Sequence, residues 1–299
     1  MAVLNRAAHF FSYMPKSIRL KLDKNLPVET VTFKHRDVTM RLYHVKNICP
    51  KENIVSECER IFRHVVDTTV TARKYTTKYV RNIDLYLVLV DVRKRYTGKL
   101  DEHAINSGYT LFQEGTNPTI VIFRFEEWVK VLIHELIHAF ELDNKHASLE
   151  HETNTAICNE WGIQPHRTLK FFESFTEAWA VLILLDLYYP KQTKAYELEL
   201  LWSAMQALKI IRLSGWKDYD DYLQNPSIHT IEQTTAAFEY YIAKLALLYN
   251  RKRFEAELTK IIRGRKAPQD IAIPVLKSAG FTNYMRDLRR YDFSCTEYK

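Results

Sequence analysis

The sequence predicts an α+β protein, with a mixed sheet and helices in the N-terminal half and a mainly helical C-terminal half. Three observations carry this. Strand-like alternation of apolar and polar residues is confined to the chain up to Arg124. From Phe125 onward almost every apolar pattern repeats at the helical spacing i, i+3, i+4. Only seven glycines occur in 299 residues, so no flexible glycine linker separates domains. One compact unit of two subdomains is expected, residues 1–145 and 146–299.

Taken in order, residues 28–46 alternate on both sides of His35-Arg36-Asp37 (Val28, Val31, Phe33, then Val38, Met40, Leu42), which predicts a hairpin. Pro50 opens a helical pattern through Ile54, Cys58, Ile61, Phe62 and Val65. Residues 84–92, nearly continuous in apolar side chains, predict a central strand. Residues 107–112 and 119–124 are two further strand candidates, joined by a turn with Gly115 and Pro118. Helices are expected at 125–142, 170–188, 194–213, 228–250, 254–264 and 268–278, and there is no internal repeat.

Composition excludes several classes. At 46% hydrophobic and 26% charged, with no low-complexity tract, the chain is globular rather than disordered. The four cysteines contain no C-x-x-C pair, against a zinc ribbon or dithiol and in favour of a reducing, intracellular setting. The longest strongly apolar run, 178–185, is too short to span a bilayer. The N-terminus lacks the apolar core of a secretory signal, though Arg6, Lys16, Arg19 and Lys21 before the first acid faintly resemble a transit peptide. The expectation is a soluble, cytoplasmic protein. The formal charge of +7 is scattered; nucleic acid, an anionic membrane surface or an acidic substrate would fit it, as would simple solvation. Nothing bears on oligomeric state.

The chemistry is concentrated in His134-Glu135-Leu136-Ile137-His138. On a helix, positions i and i+4 lie about 40° apart around the axis, so both imidazoles can share one metal. Glu135, about 100° round, stands beside that metal, placed to activate a zinc-bound water and hand its proton to a leaving amine. Two imidazole nitrogens plus a carboxylate are what a catalytic Zn²⁺ with an open position requires. Glu126 and Glu127 are expected in the favourable first turn of this helix. The competing reading is a solvated face that binds nothing.

A third ligand is needed. The pattern H-E-x-x-H-x-x-G-x-x-H would supply a histidine, but Glu141 and Asn144 occupy the last two fixed positions. The helix at 170–188 offers Glu173 and Glu177, two acids one turn apart in an apolar segment. Like charges so placed repel, and carboxylates near a core are costly unless paired. A metal removes both objections, with Glu173 as ligand and Glu177 accepting a histidine N–H behind it. Two alternatives stay open: Glu173, Ser174, Thr176 and Glu177 forming an ordinary solvated face, or His146, His151 or His166 as third ligand.

H-E-x-x-H followed by E-x-x-x-E on a downstream helix resembles the gluzincin branch of zinc metallopeptidases. Glu173-Ser-Phe-Thr-Glu177-Ala-Trp is similar to the E-x-F-x-E-A-aromatic segment of lethal-factor-type toxins and their relatives. The resemblance covers residues 119–185. It implies a zincin-like fold, zinc held by His134, His138 and Glu173, Glu135 as base, and hydrolysis of peptide bonds in a peptide or protein substrate. The glycine-rich exopeptidase motif of gluzincin aminopeptidases is absent, which favours an endopeptidase. His166, Tyr109 and His229 are candidates for stabilising the oxyanion.

Zincins commonly bind substrate as an added strand, and 107–112 or 119–124 would serve. Two rival readings remain: an inactive zincin-fold structural or assembly protein, and a nucleic-acid-associated protease recruited through Arg251-Lys252-Arg253, 263–266 and 286–290. Retention of Glu135 speaks against the first, and each basic segment reads equally as a solvated helix face.

Overall fold

The structure is a computed structural model that describes residues 14, 28–45, 53–76, 79–94, 96, 100–143, 151–164 and 168–288. In chain order the elements are β1 (Val28–His35), β2 (Val38–Val45), α1 (Ile54–Thr69), β3 (Asn82–Val90), α2 (Glu102–Ile105), β4 (Gly108–Leu111), β5 (Thr119–Arg124), α3 (Trp128–Ala139), α4 (His151–Glu160) and α5 (Phe171–Tyr188). Then come α6 (Thr193–Leu213), α7 (Tyr219–Gln224), a π-helical turn (Phe238–Ala243), α8 (Lys244–Tyr249), α9 (Arg251–Ile262), α10 (Gln269–Leu276) and α11 (Ala279–Asp287). This is an α+β chain with a mixed sheet, and it is mainly helical in its second half.

Two compact units are present, Met1–Lys94 with Asn106–Leu142 and Ala180–Tyr188, and Arg95–Ile105 with Asp143–Trp179 and Tyr189–Lys299. The first holds the sheet, ordered β1-β2-β3-β5-β4. The hairpin forms as expected, antiparallel with His35 opposite Val38 and Arg36 in the left-handed region at φ 52. The β2–β3 and β3–β5 pairs are parallel, and β4 pairs antiparallel with β5. Strand alternation divides the apolar residues between two faces. Tyr86, Val88, Val121 and Phe123 join Val45 in one cluster, with Tyr43 stacked on Tyr86 at 4.6 Å. Leu42, Leu85, Leu87, Ile120 and Ile122, all fully buried, line the other face, where α3 lies against β4 and β5. Each such side chain removed from water contributes about 1.5–3 kcal/mol.

Helix α3 does not have the half-polar surface of an ordinary packed helix: ten of its twelve residues are buried, so it is embedded in the core. It begins later than the sequence suggests. The amide of Phe125 still donates to Val90 O at 3.1 Å, and Glu127 turns into the left-handed region at φ 61 to start the helix. Glu126 and Glu127 therefore precede the first turn rather than occupy it, and Glu127 pairs with Lys94 at 2.9 Å and Lys130 at 3.6 Å. At the other end Glu141, φ 53, closes a Schellman motif, with Glu141 N–H to His138 O at 2.8 Å and Leu142 N–H to Ile137 O at 3.1 Å.

The second unit is helical. The expected helix 228–250 is only half present. Residues 228–236, rich in β-branched side chains, instead form a turn, bends and two isolated parallel bridges, Ile163–Ile231 and Leu100–Gln233. Ile231 N–H donates to Gly162 O at 2.7 Å and Thr234 N–H to Leu100 O at 3.0 Å. Those bonds outcompete a helix for which threonine has little intrinsic preference. The periodicity also did not reveal α4, α7 and α11. The helix assigned to Pro50 starts at Ile54, and Pro50 itself lies outside the described residues.

Candidate metal centre

His134, Glu135 and His138 are buried on α3, at 6%, 5% and 8% exposure. The strand β5 fixes where α3 begins, and the apolar residues before and within the motif (Leu132, Ile133, Leu136 and Ile137, all fully buried) fix its rotation. The i, i+4 spacing then brings the two Nε2 atoms to 2.9 Å of each other. That distance suits an N–H···N hydrogen bond, and it is also near the ~3.3 Å between two ligands of a tetrahedral zinc with Zn–N of about 2.0–2.1 Å.

Glu173 completes a donor set: one ligand atom from each of His134, His138 and Glu173 lies within 4.8 Å of the others. This group could hold a metal ion, and its composition of two imidazoles and one carboxylate fits zinc. Glu173 lies on α5, a single unbroken helix whose last nine residues, Ala180–Tyr188, belong to the same unit as the histidines. In that unit Tyr188 donates to Glu57 of α1, and Arg60 sits 4.3 Å from the centre of its ring.

The N-terminal end of α5 is set by buried polar groups. The Leu169 amide donates to Asn154 Oδ1 at 2.8 Å, and the Lys170 amide donates to Glu239 Oε1 at 2.6 Å. Gln233 in turn donates to Glu239 Oε2 at 3.2 Å and accepts from the Phe238 amide at 2.7 Å. Both amides precede Phe171, the first helical residue, so these oxygens fix the entry of the chain into α5, and only the Lys170 amide is one that the helix itself leaves without an acceptor. Burial pushes the Glu239 carboxyl above the usual carboxylate range; the Lys170 amide and Gln233 pull it back, and nearby Glu173 adds to the rise.

The solvated-face reading of α5 does not hold. Ser174 and Thr176 are fully buried and turn their hydroxyls back to Phe171 O and Phe172 O at 2.7 and 2.9 Å. Glu177, one turn beyond Glu173, is buried at 7% exposure. Among the described residues His151 is exposed and is not in the donor group, while His146 and His166 lie outside the described residues.

The base candidate has a partner the sequence did not single out. Thr110 of β4 donates to Glu135 Oε2 at 2.7 Å, with Glu135 O at 3.1 Å. Gly108 makes this approach feasible: a Cβ there would stand 2.7 Å from Val131 Cγ1 and 3.0 Å from Val121 O. Strand alternation puts Gly108 and Thr110 on the α3 face and Tyr109 on the opposite one, its ring 6.1 Å from Phe123. Tyr109 is thereby removed as an oxyanion candidate. His229 packs on Gly215 and Trp216 in the second unit, and His166 lies outside the described residues.

No known family profile and no curated protein matches the chain. Among solved structures, an aminopeptidase N family protein from Idiomarina loihiensis is similar at a TM-score of 0.40 and 11% identity, over 88% of this chain and 44% of that one. The chain thus spans less than half the length of that protein, and a likeness of this degree assigns neither fold nor function.

Members of each basic segment singled out in the sequence take part in ion pairs. Arg251 pairs with Glu255, Lys260 and Lys266 with Glu257, and Arg286 with Asp220. Among the described residues no helix is long and apolar enough to cross a membrane.

Proposed function

We propose that the chain is a gluzincin-like zinc metallopeptidase that cleaves within peptide chains, with His134, His138 and Glu173 as metal ligands and Glu135 as base. The observation that carries this reading is the convergence of three ligand atoms within 4.8 Å beside a buried glutamate that is held by a strand.

When bound, zinc supplies a Lewis acid and lowers the pKa of a coordinated water to about 7. His134 and His138 present ring nitrogens from one embedded helix face, so their placement costs little ordering at the time of reaction. Glu173 adds the carboxylate, and Glu177, one turn on, is proposed to accept a hydrogen bond from the far ring N–H of a ligand imidazole. Glu135 takes the proton of the attacking water on a carboxylate oxygen and passes it to the departing amine.

The two strand candidates for substrate binding are not equivalent. All six residues of β5 are buried and it is paired on both sides, whereas β4 is the last strand of the sheet among the described residues. An extended peptide added to β4 would run along the strand that contacts Glu135.

Zinc content by plasma mass spectrometry, with peptide-library cleavage, tests the reading. About one zinc per chain is expected, lost in His134→Ala/His138→Ala. Cleavage should fall about 10²–10⁴-fold in Glu135→Gln with the zinc retained. A chain that takes up no zinc from zinc-supplemented buffer, or one that binds zinc but cleaves nothing, would be a scaffold instead.

A further inference from the structure

We infer that Thr110 is a positioning residue for Glu135, so that the edge strand β4 sets the orientation of the base; this rests on the peptidase reading above. Three features of the first unit carry it. The Thr110 hydroxyl has a single hydrogen and faces two acceptors of the same residue, Glu135 Oε2 at 2.7 Å and Glu135 O at 3.1 Å; the carboxylate is the nearer. Threonine is stiff at χ1, and a strand backbone suits it, so the direction of that hydroxyl is fixed by the strand rather than found afresh. Gly108, two residues earlier on the same face, leaves no room for a side chain between β4 and α3.

A glutamate has three side-chain torsions, and a base must point at the water it deprotonates. Fixing Oε2 on Thr110 removes most of that freedom. It also ties the base to the strand along which the peptide would lie, so scissile bond and base are registered against one element. Glu135 sits next to His134 on a buried helix, and the constraint is applied from the facing edge strand, 25 residues away in sequence.

The experiment compares Thr110→Val, which keeps shape and loses the donor, with Thr110→Ser, which keeps the donor. The substrate is a fluorescence-quenched peptide selected from a random library with the wild-type protein. In Thr110→Val, kcat should fall about 10–100-fold while KM stays within about twofold, since a misaimed catalytic group costs rate rather than affinity. Zinc content should stay that of the wild type, and Thr110→Ser should recover kcat to within about threefold.

A readout independent of turnover is the ¹³Cδ resonance of Glu135 in metal-free protein at one fixed pH, assigned by its absence in Glu135→Gln. It should move in Thr110→Val and return in Thr110→Ser. A wild type that cleaves peptides while Thr110→Val keeps its kcat overturns the role of Thr110 alone, as does an equal loss in both variants. A wild type that binds zinc and cleaves nothing overturns the peptidase reading itself, and this inference with it.

Discussion

Helices α3 and α5 each bring donors to the same small group, and they are held by different physics. α3 is gripped along its length by apolar packing, with Leu132, Ile133, Leu136 and Ile137 fully buried around the two histidines. Its ends are irregular: Glu127 and Glu141 both lie in the left-handed region, at φ 61 and 53, where glycine is the comfortable residue. The entry of α5 is instead held by Asn154 and Glu239, buried oxygens that accept the Leu169 and Lys170 amides. Packing is non-directional and tolerates small adjustments; a buried hydrogen bond fixes one register and is expensive to lose. The histidines thus ride on a stable post, and Glu173, three residues past Lys170, is placed by a polar clamp.

The sharpest way to break that contrast is to damage each support separately. Leu132→Ala removes a fully buried side chain from α3 and should cost about 2–5 kcal/mol of stability, read from urea unfolding of the metal-free protein. Zinc affinity of the folded fraction should stay within a few-fold, because the donors remain. If zinc binding weakens in step with stability, apolar packing is directing the histidines more finely than the contrast allows.

Glu239→Ala should do the reverse. It strands the Lys170 amide and Gln233 and should cost about 1–3 kcal/mol. Because Glu173 is placed by that end of α5, zinc should bind about 10–100-fold more weakly, a loss visible by competition with a chelating dye. Glu239→Gln keeps one acceptor for the Lys170 amide and should lie between the wild type and the alanine variant. Equal zinc affinity in all three would remove Glu239 from any part in the site.

How much of this was legible beforehand follows the same division. α3 and its motif could be read because spacing on a helix is a local property: i and i+4 share a face whatever surrounds them. The strands around it were legible too, since residues 84–92 and 119–124 are nearly continuous in apolar side chains, although the first strand runs from Asn82 to Val90, two residues earlier than read. The supports were not. Thr110 meets Glu135 across 25 residues and Glu239 meets Lys170 across 69, and no local pattern encodes such pairs. Glu239 did leave a trace, as a lone acid in the otherwise apolar stretch Ala236-Ala237-Phe238-Glu239-Tyr240. Residues 228–235 misled because their helical spacing was real but their amides found Gly162 and Leu100 instead.

The smallest effect belongs to the end of α3. Glu141 stands where the third-histidine pattern carries glycine, and its backbone adopts the left-handed turn that a glycine there would supply. The local requirement is the Schellman closure over His138 O and Ile137 O, which needs that backbone angle whatever metal ligand follows. A non-glycine residue in this region costs about 1–2 kcal/mol, while glycine adds about 0.5–1 kcal/mol of entropy to the unfolded chain. Glu141→Gly should therefore gain up to about 1 kcal/mol, a rise in Tm of about 2 °C at this chain length, with zinc content unchanged. A fall in Tm would mean that the Glu141 side chain contributes more than its backbone strain costs, and the end of α3 would then be held by polar contacts, as α5 is.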